Sequence, residues 1–283
     1  MKYRFAMPSD LPALQTLWQE CFGDSPDYTT FLFARLIRPE RALVAVEGGI
    51  PRAMAFFTPF RLSGGGEQGA YLFGVGTALS HRGQGLSTAL LAYADSALAE
   101  QGYALAVLVP ASESLFAFYG KRGYSPFARI CRHTAPVTAA DAPQLALTSA
   151  SLPELAPARR AFFASLGDCV LWDEETLAYI QAECLRFGGE VLGFSVEGSS
   201  GYAVCYRGDG AVAVKELVCP PSAFGRVAAA LSHRYGDLAI SYTLHSVFST
   251  ETTQTDLPYA LGKWYDTIVQ AGTGLPYIGF TLD

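Results

Sequence analysis

The chain has 283 residues, of which 50% are hydrophobic and 13% aromatic, enough to bury two sizeable cores, so two domains are expected. A formal net charge of −6 without any Lys/Arg run argues against a nucleic-acid partner. No run of about eighteen apolar residues offers a membrane span, and MKYRFAMPSD lacks the apolar centre of a signal peptide. Residues 2–7 then read as a first strand. Ser9 is placed to cap a helix, with Asp10 and Pro12 in its first turn and Leu11, Leu14, Leu17 and Trp18 on one face. Gly23 and Pro26 break the chain, and a second helix over 27–36 ends before Pro39. Residues 42–47 and 53–62 form an antiparallel hairpin through Gly48-Gly49, and Ser63-Gly64-Gly65-Gly66 is a flexible connection onward.

The next stretch, YLFGVGTALSHRGQGLSTALL, changes character in its middle. Residues 71–79 are apolar, aromatic and β-branched enough for a buried strand. Arg82-Gly83-Gln84-Gly85-Leu86-Ser87 follows, and from Thr88 to Gln101 the apolar Leu90, Leu91, Ala94, Ala97 and Leu98 fall at helical spacing. A strand turning through a glycine-rich loop into a helix makes an anion site. The first helical N–H groups lack partners, the helix dipole adds positive potential, and glycine lets a phosphate approach the backbone. The spacing matches neither GxxxxGK[ST] nor GxGxxG.

A further strand over 103–109 leads into PASESLFAFYGKRGYSP. Together the two segments resemble the R-x-x-G-x-G/A phosphate loop and the following strand, short helix and K-x-G-[FY] turn of the GNAT acyltransferases, with Tyr119 and Lys121-Arg122-Gly123-Tyr124 at the family's spacing. Ser87 stands where the family has Gly or Ala. Ser112 stands where it has an asparagine, and the chain contains no asparagine at all. The hydroxyl of Ser112 is expected to cap the short helix.

The resemblance implies an α/β (α+β) GNAT fold: a mixed, mostly antiparallel sheet whose splayed central strands admit acetyl-CoA, flanked by helices. It implies that Arg82, Gly83, Gln84, Gly85, Leu86, Ser87 and Thr88 cradle the diphosphate. Backbone groups of Val75, Gly76 and Thr77 then pair with the pantetheine arm, with Ser112 in reach of it. Tyr119 is the expected proton donor to the departing thiolate, since a phenol is neutral at pH 7. Trp18, Phe22, Tyr28 and Phe31 are candidates to line the acceptor site, or are plain core. Glu113, or Glu67 with Tyr71 through water, are candidate bases, and the closing PYIGFTLD is similar to the tail of larger aminoglycoside acetyltransferases whose terminal carboxylate reaches the active site.

Residues 136–157, rich in Ala, Pro, Ser and Thr, mark a boundary between units at 1–136 and 150–283. Beyond it the order helix, helix, three strands, helix, strand repeats, over 152–166, 173–187, 190–196, 201–207, 211–218, 222–235 and 238–244. Pro220-Pro221 fall where the second phosphate loop belongs, and proline has no N–H for an anion. The second unit therefore reads as a degenerate GNAT-like domain that shapes or closes the acceptor cleft. Six scattered cysteines (21, 131, 169, 184, 205, 219), without CxxC or a histidine at ligand spacing, suit reduced thiols in a cytoplasmic protein without a structural metal. His81 flanks the loop; His133, His233 and His245 carry no assignment. The function expected is acetyl transfer to a small-molecule or peptide amine. The alternative is a non-catalytic acyl-CoA-binding regulatory module.

Overall fold

The computed structural model describes residues 1–133, 145–208, 210–250, 254–265 and 276–281. The chain runs β1 (Lys2–Phe5), α1 (Leu11–Phe22), α2 (Pro26–Arg35), β2 (Ala42–Glu47), β3 (Ile50–Leu62), β4 (Gln68–Thr77), α3 (Leu86–Glu100), β5 (Leu105–Leu108), α4 (Glu113–Gly120) and β6 (Ser125–His133). It continues with β7 (Thr148–Ser149), α5 (Leu152–Ala164), β8 (Val170–Trp172), α6 (Glu174–Arg186), β9 (Glu190–Val196), β10 (Ser199–Gly208), β11 (Ala211–Val218), α7 (Phe224–Tyr235), β12 (Ala239–Leu244) and β13 (Gln254–Trp264). No helix among the described residues is long and apolar enough to cross a membrane.

These strands join one sheet in the order β1-β2-β3-β4-β5-β13-β6-β12-β11-β10-β9-β7, with β8 pairing β3. All neighbours are antiparallel except β4–β5 and β11–β12. Each parallel pair is connected through a helix, α3 or α7, because parallel neighbours cannot be joined by a tight turn. The two halves exchange their ends: β13 lies between β5 and β6, and β6 also pairs β12. β8 takes up the part of β3 beyond the reach of β2.

Apolar alternation explains the layers. One core gathers Leu14, Trp18, Phe56, Tyr71 and Phe73 with Trp172, Leu177 and Tyr179 of the second half. Another, on the opposite face, gathers Leu43, Phe57, Leu72, Leu90, Leu98 and Tyr119. A third lies under α7 with Val212, Val227 and Leu231. Inside the second half, Arg159 donates from Nε and Nη2 to both carboxylate oxygens of Glu216 at 3.0 Å, while Tyr202 donates to the same carboxylate. All three are buried, so each charge finds its partner away from water.

At the N-terminus the cap differs from expectation. A short 3-10 turn over Pro8–Asp10 precedes α1, and Asp10, not Ser9, occupies the N-cap. The reason is Arg4, whose two terminal nitrogens hold the Asp10 carboxylate at 2.6 and 3.0 Å while Met7 N–H donates to it at 2.7 Å. The second half contains two helices, three strands, a helix and a parallel strand where the sequence pattern placed them, with β8 inserted between the first two helices. The strands β6, β8 and β13 lack the alternation that announces an isolated strand, and were not anticipated.

Candidate active site

The site begins where β4 and β5 separate. They pair in parallel only from Gly69–Leu105 to Tyr71–Val107. Beyond Tyr71 the β3–β4 register slips, with Phe56 opposite Phe73 but Met54 opposite Gly76, so Gly74 and Val75 form a bulge on β4. Gly74 adopts φ +58°, and a Cβ there would sit 2.3 Å from the Trp18 ring. Only glycine fits this turn of the strand against this indole.

A cavity of about 1290 Å³ opens at the divergence. Leu72, Phe73, Gly74 and Val75 line it from β4, and Leu108 through Ser112 from the β5 side. Tyr71 and Phe73 belong to one core, whereas Leu72, Leu108 and Tyr119 belong to the opposite one. Residues from both faces meet the same space, so the cavity passes through the sheet. Trp18, Phe22, Asp24 and Tyr28 line its outer side together with Tyr179, Glu183, Phe187, Tyr206, Pro258 and Tyr259 of the second half. Phe31 does not; it packs on Tyr179 at a ring distance of 5.7 Å.

Tyr119, on α4, lines the cavity and is otherwise buried. Its hydroxyl has no hydrogen-bond partner among the described residues. Burial pushes its phenol up to about 12, with the nearby Arg122 pulling the other way. It is therefore a neutral O–H donor throughout the physiological range. Glu113 also lines the cavity, in the first turn of α4, while Glu67 stands in the turn before β4 and outside the lining. Ser112 sits at the N-cap of α4 as expected, but its hydroxyl makes no capping bond; it pairs with Ser114 Oγ at 3.0 Å instead.

Past Thr77 the chain turns into the glycine loop. Gly83 and Gly85 adopt φ +76° and +78°, and a Cβ at either would meet nothing within 4 Å. The first backbone bond of α3 runs from Ala89 N–H to Gly85 at 3.0 Å, which leaves the amides ahead of it without an intrahelical acceptor. The loop's side chains are occupied by the protein itself. Thr77 Oγ1 and Ser87 Oγ lie 2.7 Å apart, Arg82 Nε donates to the Thr77 carbonyl at 3.2 Å, and Gln84 Nε2 donates to the Ser80 carbonyl. Thr88 Oγ1 accepts from Arg122, whose guanidinium stacks 3.4 Å above the Phe118 ring. At the exposed Gly83 and Gly85 the loop presents bare backbone. None of residues 82–88 lines the cavity; the Thr77–Ser87 contact ties the loop to the strand that does. His81 is held between Ser80 and Glu47.

A family model for the acetyltransferase (GNAT) domain matches residues 2–127, the stretch holding the loop, the splayed strands and Tyr119. Residues 2–127 form a GNAT domain. No curated protein gives a significant match. Among solved structures, the chain is similar to a GCN5-related N-acetyltransferase from Kribbella flavida at 18% identity and a TM-score of 0.71, covering 94% of this chain and 72% of that one. It is also similar to a GCN5-related N-acetyltransferase from Anabaena variabilis, at 15% identity and TM-score 0.76, with 94% and 73% covered. A probable N-acyltransferase from Enterococcus faecalis aligns at 17% and 0.74, with the same coverage. At these identities the likeness concerns the fold, and it extends across both halves, beyond the GNAT domain alone.

Sequence reasoning expected the second half to shape the cleft but named none of its residues that line the cavity. Tyr28 Oη donates to Glu183 Oε1 at 3.1 Å, Tyr179 Oη to the same oxygen at 2.9 Å, and Tyr206 Oη to Oε2 at 3.2 Å. The only local signal was Tyr179 and Glu183 four apart on one helix face. Residues 282 and 283, whose carboxylate was a candidate base, lie outside the described residues; Thr281 just before them is bonded to Tyr259 Oη at 2.8 Å.

Proposed function

We propose that this protein transfers the acetyl group of acetyl-CoA to the neutral amine of a small acceptor by direct attack, with Tyr119 donating to the departing sulfur. The observation that carries this reading is the cavity through the sheet, opening where β4 leaves β5 and lined along β4 as far as Val75, with the free amides at the start of α3 following beyond the end of that strand. Acetyl-CoA supplies an activated thioester, and the chain's task is to hold and polarise it. Beyond Tyr71 the edge of β4 facing the gap has lost its strand partner, so N–H and C=O groups from Val75 onward are available to a pantetheine arm as to an added strand. The Thr77 carbonyl already accepts from Arg82 and Cys21, which concentrates this pairing at Val75 and Gly76. The amides of residues 83–88, at a helix N-terminus, suit a diphosphate.

Tyr119 faces this space from the opposite core. A thiol ionises well below this phenol, so complete proton transfer from Tyr119 is uphill. Its first contribution is accordingly a hydrogen bond that strengthens as charge develops on sulfur. Residues 1–136 act as the catalytic unit, and residues 150–283 as a degenerate GNAT-like unit that roofs the acceptor side. Six side chains of the second half on the cavity wall favour a small amine over a peptide. Six unpaired thiols suit the reducing cytoplasm.

Calorimetric titration with acetyl-CoA, followed by thiol release in the presence of amines, tests the proposal. The expected result is affinity on the order of micromolar and release that depends on the amine. Absence of binding overturns it; binding without amine-dependent release favours an acyl-CoA-binding regulatory module.

A further inference from the structure

We propose that Glu183 is the acceptor-binding carboxylate of the cleft, and that it selects amines carrying a second, cationic nitrogen. This deepens the acetyltransferase reading and rests on it. Glu183 lies on α6, in the half of the chain without a phosphate loop, and lines the same cavity as Tyr119. Three phenols converge on its two oxygens, Tyr28 from α2, Tyr179 from α6 itself and Tyr206 from β10. Burial, and then the charge of Glu183, raises all three phenols well above their ordinary value, so each stays an O–H donor. Donors fixed from three elements orient the carboxylate.

The walls beside it are aromatic. Trp18, Phe22 and Phe187 line the cavity, with Phe187 edge-on to Tyr28 at 5.6 Å and Trp18 against Phe22 at 4.6 Å. Trp18 Nε1 donates to Asp24, which places a second carboxylate on the same side. Such walls take an alkyl chain, and ring faces attract a cation.

A carboxylate favours the protonated form of any amine bound to it, yet the attacking amine must be neutral. The nitrogen held at Glu183 is therefore not the nucleophile. Position agrees with this. Glu183 packs from the face that holds Trp18 and Tyr179, while Tyr119 belongs to the opposite core, and the cavity spans both. A chain with an ammonium at Glu183 directs its free amine along the cavity toward the β4–β5 gap.

The test uses 1,4-diaminobutane and butylamine as probes on the full chain. Each is titrated calorimetrically with CoA present and assayed with acetyl-CoA, for the wild type, Glu183→Gln and Tyr206→Phe. The wild type is expected to bind the diamine at least about tenfold more tightly than the monoamine. Glu183→Gln is expected to abolish that preference by raising KM for the diamine, with kcat and acetyl-CoA affinity little changed. Tyr206→Phe, lacking one donor, falls between them with the same KM-led pattern. A wild type without diamine preference overturns the proposal, whatever the variants do. A Glu183→Gln protein that binds acetyl-CoA normally and keeps the preference also overturns it. Failure of the wild type to bind acetyl-CoA strikes the acetyltransferase reading instead, whereas normal acetyl-CoA binding with indifference to the second nitrogen strikes only the role of Glu183.

Discussion

The Tyr28 hydroxyl donates at 3.1 Å to the carboxylate of Glu183, a residue 155 positions later in the chain. That bond spans the cleft between a helix of the GNAT domain and a helix of the second half. It is supported on either side by Arg38 and Arg41 holding Glu175 at 2.7 and 2.9 Å, by Arg186 paired with Asp27, and by the buried Thr58–Thr176 contact at 2.7 Å. The exposed ion pairs add little stability individually. Their geometry nevertheless fixes where the roof of the cavity sits.

Tyr119→Phe removes one oxygen from the cavity wall and leaves the ring that packs against Tyr124. Turnover is expected to fall about a hundredfold, in the range of a lost positioned acid, with acetyl-CoA affinity nearly unchanged. Because burial holds the phenol at about 12, any alkaline limb of the rate profile between pH 8 and roughly 10 belongs to another group and survives in the variant. Steady-state kinetics across pH, beside calorimetry, check both statements; full turnover in the variant removes Tyr119 from the mechanism.

Gly85→Ala places a Cβ at φ +78° with open space around it. The cost is conformational, about 1–2 kcal/mol, and it falls on the loop. The expected outcome is acetyl-CoA binding weakened about five- to thirtyfold, since about 1.4 kcal/mol is one decade, with unchanged affinity for the amine. Unaltered acetyl-CoA affinity would mean that the anion docks elsewhere.

Asp10→Asn addresses the N-terminal clasp. The Arg4 guanidinium, aided by Met7 N–H and opposed by burial, holds the Asp10 carboxyl below the usual carboxylate range. A depressed folded value means stability that is fully present above the unfolded value of about 3.9 and lost as the pH falls through the folded one. At pH 7 the variant is expected to lose about 1.5–3 kcal/mol. Its deficit against the wild type should shrink below pH 4, as the wild-type carboxylate itself takes up a proton. Urea melts at pH 7 and pH 3 measure the difference; a deficit independent of pH contradicts the assignment.

Much of the GNAT domain could be read locally, because its signals are local. Gly83 and Gly85 need positive φ, α3 carries its apolar stripe in one run, and the Gly48-Gly49 turn joins two alternating strands. Tyr119 could be singled out in the sequence because its spacing to Gly123-Tyr124 is short, and it lines the cavity. Glu183 was invisible for the opposite reason: its partners Tyr28 and Tyr206 are brought to it by folding, and nothing near it in sequence marks it beyond Tyr179. The fate of β13 was equally hidden. Pro258 and the slips of register at Leu257, Ala260 and Leu261 blur its alternation, and its neighbours β5 and β6 lie more than a hundred residues earlier.

That placement of β13 bears on how the chain is made. As the protein leaves the ribosome, β5 and β6 emerge long before the strand that must slip between them, and they wait as open edges that invite other chains. A fragment of residues 1–136, expressed alone, should therefore precipitate or cling to chaperones, and adding residues 145–283 as a separate polypeptide during refolding should rescue its solubility. The sheet of the first half thus stays incomplete until a strand more than a hundred residues downstream has been made.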